Sequence, residues 1–162
     1  MKVAAFSIDE EQLGANSRLT GIRMAALTLR LMENWRRNVG DYDSAMILLA
    51  VVAITSGRLL RSDLPHDLRN MANPLPEEAL ARCSFSSISA ATGLNRETTR
   101  RKVLDLIERG YLERAANRSV RFRFGYLQTP QSAELLRVQL DAFARVANDL
   151  ARDGDLQNTF MS

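Results

Sequence analysis

The chain has 162 residues, 46% of them apolar and 25% charged, with a net charge of +3. This balance predicts an ordinary folded chain with a substantial core and excludes a disordered or collagen-like one. One cysteine, Cys83, and one histidine, His66, exclude an internal disulfide and a metal cluster of usual spacing, so neither a metal nor a cofactor is expected.

Residues 1–16 read as an arm that ends in an acidic cluster, Asp9, Glu10 and Glu11, followed by Gly14. The apolar run from Val3 to Phe6 is too short for a secretory signal, and with the lone cysteine this predicts a cytoplasmic location. Ser17 or Thr20 is then placed to cap a helix running to about Asn38, with Leu19, Ile22, Ala26 and Leu29 at three- and four-residue steps. Met24, Ala25, Leu27 and Leu31 fall outside that stripe. A second covering surface, another subunit, is therefore expected.

Gly40, Asp41 and Asp43 end this helix and cap the next. Ala45 to Ile54 reads AMILLAVVAI, apolar all round but short of the ~20 residues that span a bilayer. It predicts a central buried helix and no membrane association, and residues 17–62 together make a helical core and dimerisation region. Pro65, Pro74 and Pro76 mark residues 63–82 as a connector, with a brief helix from Pro76 through Arg82.

Residues 83–127 carry the densest signals. Ser84 caps a helix whose Phe85 and Ile88 turn inward, Ser89, Ala90 and Ala91 allow a close helix crossing, and Gly93 supplies a left-handed turn. Asn95 caps a second helix with Thr99, Val103, Leu106 and Ile107 on its inner face. Gly110 ends it, and Val120 to Phe124 alternates as a strand, with Val120, Phe122 and Phe124 packed inward and Arg121 and Arg123 outward. From Arg96 to Arg123 there are nine basic residues against four acidic ones, so the remainder of the chain is net acidic. Such local basicity suits a phosphate backbone.

The order helix, turn, arginine-headed helix, hairpin predicts a winged helix-turn-helix. Asn95, Arg96, Glu97, Thr98, Arg100 and Arg101 are the expected groove-facing set, because the start of the recognition helix enters the major groove. Ser84 and Ser86 on the first helix, with Asn117, Arg118, Arg121 and Arg123 on the wing, are the expected accessory contacts.

In residues 128–162, Thr129 and Pro130 open a helix to Arg152, beyond which the tail is expected to fray. Leu136, Leu140, Phe143, Ala147 and Leu150 step by four and three, a heptad-like seam. Leu136, Leu140, Phe143 and Leu150, together with Leu19, Ile22 and Leu29, are the expected dimerisation residues.

ISAATGLNRETTRRKVLDLIERGYLER, with Gly93, the small residues before it and the closing Gly110-Tyr111-Leu112, resembles the winged helix-turn-helix of bacterial transcriptional regulators. With helices before and after the module, the layout is similar to the multiple-antibiotic-resistance (MarR) class. The module is similar as well to arginine-repressor-like, GntR-like and IclR-like winged helices. The resemblance implies control by a small-molecule effector, which no residue identifies.

The expected fold is thus mainly α with a small β-hairpin wing, a winged helix-turn-helix flanked by dimerisation helices. The expected function is a homodimeric transcriptional regulator that binds double-stranded DNA at an inverted repeat. The alternative is a winged helix serving protein contact in a replication or partition complex. With no nucleophile elbow and no phosphate loop, an enzyme is not expected.

Overall fold

The computed structural model describes residues 3–161. In chain order it contains β1 (Val3–Ile8), α1 (Glu10–Val39), α2 (Tyr42–Ser56), α3 (Phe85–Thr92), α4 (Arg96–Glu108), β2 (Leu112–Arg114), β3 (Val120–Phe122), α5 (Pro130–Arg152) and β4 (Leu156–Met161). Three single 3-10 turns, Gly57–Arg61, His66–Arg69 and Glu77–Ala79, lie between α2 and α3. The fold is mainly α-helical, with two small antiparallel sheets, β1–β4 and β2–β3. The chain divides into two compact units, one of residues up to Asn34 together with those from Leu136 on, the other Trp35–Leu135.

In the first unit, the expected arm and fraying tail are instead paired: β1 runs antiparallel to β4 from Val3↔Met161 to Ile8↔Leu156. The helix expected from Ser17 or Thr20 begins at Glu10. The cause is local, since the Asp9 carboxylate accepts from the Glu11 and Gln12 amides at 3.1 and 3.0 Å. Glu10 and Glu11 then sit at the positive end of the helix dipole. The acidic cluster is therefore a helix start, and the helix passes through Gly14.

Polar bonds fasten α1 to the chain that follows α5. Arg23 pairs with Asp153, Thr20 donates to Asp155, and Asn16 donates to the Asp155 carboxylate at 3.0 Å. The Thr20 hydroxyl and the Asn16 amide, helped by Arg23, outweigh burial and hold the Asp155 carboxyl below the usual aspartate range. Apolar side chains of the same unit lie open. Leu29 is 63% exposed, Leu140 61% and Phe143 56%, and Leu19, Ile22 and Leu136 are exposed as well. Leu150, expected on the same seam, is buried within the chain instead, so the open part of the seam stops short of it.

The second unit has the dense core. Helix α2 packs against α3, α4 and β3, burying Ile47, Leu48 and Val51, with Ile88 of α3, Val103 and Leu106 of α4, Leu112 of β2 and Val120 of β3. Burying each such side chain contributes roughly 1.5–3 kcal/mol. By length and composition Tyr42–Arg61 could also cross a membrane, yet Ser44, Ala45, Ile47, Leu48, Ala50, Val51 and Thr55 of α2 are all buried. Met46 and Val52 are exposed, so the helix is not covered on every side as its composition predicts.

Asp41 caps α2, accepting from the Ser44 amide at 2.9 Å, and pairs with Lys102 of α4 at 2.9 Å. Burial works against its charged form, but the Ser44 amide, Lys102 and the Ser44 hydroxyl prevail and lower its pKa. The brief helix expected from Pro76 to Arg82 is only the turn Glu77–Ala79. Beyond it the chain is extended at Leu80, and Ala81 N–H donates to the Thr55 carbonyl at 2.8 Å.

Candidate nucleic-acid interface

The site is built on α3, α4 and the β2–β3 hairpin. Ser84 caps α3 in a reciprocal box with Ser87: its hydroxyl accepts from the Ser87 amide at 3.1 Å, while its own amide donates to the Ser87 hydroxyl at 2.9 Å. Ser84 is thus engaged at the cap, whereas Ser86 is exposed. Gly93 takes φ +73°, which glycine adopts without a Cβ penalty. The Ser89 hydroxyl donates to the Leu94 carbonyl at 2.7 Å, securing the turn from α3 into α4.

Asn95 caps α4, its side chain accepting from the Thr98 amide at 2.8 Å, and the Thr99 hydroxyl donates to the Asn95 carbonyl at 3.0 Å. Thr99, Val103 and Leu106 are buried. At about 100° per residue, Glu97 and Arg101 occupy the opposite side, Arg100 lies a quarter-turn round from the buried face and Arg96, one turn before Thr99, borders it; all four are exposed. Glu97 pairs with Arg100 at 3.4 Å, an exposed contact worth about 0–1 kcal/mol at most. It leaves the arginine free to exchange partners.

The hairpin turns at Asn117 and Arg118, with φ of 56° and 58°. Two consecutive left-handed residues make the type I′ connection that suits the twist of paired strands. Arg114, Arg118 and Arg123 are exposed. With Arg96 and Arg101 they have no ion pair among the described residues. Arg123 also lies over Gly110, where an added Cβ would stand 3.0 Å from its guanidinium.

Two expectations for this hairpin are corrected. Arg121 does not point freely outward: it binds Glu113 at 2.8 Å and Glu77 of the connector at 2.9 Å, leaving its side chain 26% exposed. The strand stops at Phe122, so Phe124 is 75% exposed rather than packed inward. Its amide is taken by the Glu113 carboxylate at 3.3 Å, and Gly125 turns the chain at φ +81°.

Other cations of the basic stretch also serve the fold. Lys102 is held by Asp41. Arg109 binds Asp105 at 3.1 Å, donates to the Val39 carbonyl at 2.6 Å and lies 5.0 Å from the Tyr111 ring centre. The base of the hairpin is braced by Tyr126, which stacks on Phe122 at 5.7 Å and meets Tyr111 edge-on at 5.3 Å. Neither Tyr126 nor Arg114 stood out in the sequence, because neither belongs to a spaced motif. Cys83, beside the site, is fully buried, and burial raises its thiol pKa against a bond with Ser87. That makes it a poor nucleophile.

Comparison with known proteins finds no matching family model, no matching curated protein and no matching solved structure.

Proposed function

We propose that this chain is a sequence-specific DNA-binding transcriptional regulator whose α3–α4–hairpin segment acts as a winged helix-turn-helix, similar in layout to the MarR class. The observation that carries the reading is the arginine set on the first half of α4, Arg96, Arg100 and Arg101, all exposed while Thr99, Val103 and Leu106 of the same helix are buried. A bidentate arginine–guanine contact discriminates by about 1–3 kcal/mol. Asn95 and Thr98, at the helix start, suit phosphate. On the hairpin, Arg114 and Arg118 replace Arg121 as the cations for the backbone or minor groove.

The protein works as a homodimer. Support comes from the open apolar stripes of α1 and α5, Leu19, Ile22 and Leu29 with Leu136, Leu140 and Phe143, apolar surface of the kind that marks a protein–protein contact. A two-fold pair reads an inverted repeat with half-sites about 34 Å apart. Binding to a panel of single-base operator variants tests the groove assignment. Arg100→Ala and Arg101→Ala are expected to lose discrimination at particular bases, about 1–3 kcal/mol each. Equal losses on specific and random duplexes would contradict it.

A further inference from the structure

We propose that the Trp35–Leu135 unit binds a largely apolar ring compound without positive charge in a cleft between the connector, α2 and the segment after β3. The cleft measures about 510 Å³, within the span of about 300–1,000 Å³ usual for small-molecule sites. Val52, Met71, Leu75, Phe122, Phe124 and Leu127 form its apolar wall. Val52, Met71 and Phe124 are side chains that the unit's own core leaves uncovered. They converge on one concavity instead of being scattered singly over the surface, and apolar surface gathered in this way marks a ligand site.

The polar groups around the cleft argue against a positively charged ligand. Gln128 donates to the Met71 carbonyl at 2.7 Å, and Arg121 is shared by Glu77 and Glu113. Arg69 donates to the Leu64 carbonyl at 2.9 Å and pairs with Asp63 at 3.3 Å, while the Asn73 amide donates to the Asp67 carbonyl at 2.7 Å. Arg123, which also lines the cleft, has no ion pair among the described residues. A cationic ligand would have to draw Glu77 or Glu113 away from Arg121 to find a counter-charge, and desolvating it without one is costly. The bonds Gln128–Met71 and Arg121–Glu77 also tie the connector wall to the hairpin wall, which suits a compact ring compound better than an extended peptide.

The site is tested on the full chain with N-phenyl-1-naphthylamine, an uncharged two-ring probe whose fluorescence rises in apolar surroundings. A saturable rise with one site per chain is expected. Phe124→Ser and Val52→Arg should each weaken it at least tenfold, whereas Leu60→Lys, at an exposed apolar side chain outside the cleft, should bind as the unaltered chain does. Phe124 is so exposed that its replacement leaves folding intact, so that variant decides the matter if Val52→Arg fails to fold. Non-saturating binding, an unchanged Kd in Phe124→Ser, or loss of binding in Leu60→Lys would overturn the proposal. The assay contains no DNA, so its outcome is independent of the regulator reading.

Discussion

Arg118 pays for its position at the hairpin tip with a left-handed backbone, φ 58°, a conformation that costs a residue with a Cβ about 1–2 kcal/mol. Glycine removes that strain but enlarges the freedom of the unfolded chain. Arg118→Gly is therefore expected to stabilise the protein by about 0.5–1 kcal/mol in urea unfolding while weakening binding to all duplexes alike. Asp155 gives a pH signature. Its folded pKa is depressed by Thr20, Asn16 and Arg23, so the unfolded chain takes up the proton first as pH falls. The contribution is complete above the ordinary aspartate value, about 3.9, and is lost on acidification through the depressed folded value. Urea unfolding between pH 7 and pH 3 should show the stability gap between the unaltered chain and Asp155→Asn narrowing below about pH 4.

At the scale of elements, α1 is the sharpest test. Gly14 and Gly21 both lie inside it, exposed, with open space where a Cβ would stand. Gly14→Ala and Gly21→Ala are each expected to add about 0.5–1 kcal/mol in thermal or urea unfolding. A neutral or destabilising Gly14→Ala would mean that the helix does not extend back to Glu10. The same element explains what was legible beforehand. Ser84, Gly93 and Asn95 are local signals, each acting on residues two to five positions away, and they located α3, the turn and α4. Asp9, Glu10 and Glu11 are equally local, but Gly14 behind them is a loop signal that the helix overrides. The β1–β4 pairing joins opposite ends of the chain, and neither strand carries a turn signal leading to the other. The Arg121–Glu77 bond likewise depends on the connector folding back along β3, which alternation in residues 120–124 cannot reveal.

For the whole molecule, the two units divide the work proposed for it. One carries the arginine-headed helix and hairpin over a closed core, and the other leaves apolar helix faces open. In the proposed role, a single α4 would touch too few base pairs for high specificity, so pairing through the open faces would matter as much as the arginines. Selection from random duplex DNA, followed by Kd measurement across salt concentrations, tests this most directly. The expected result is an enriched inverted repeat with half-sites one helical turn apart, and an affinity falling by roughly 10³–10⁵ between 50 and 200 mM salt for 6–10 phosphate contacts. The absence of an enriched half-site, with affinity nearly flat across that salt range, would contradict the account.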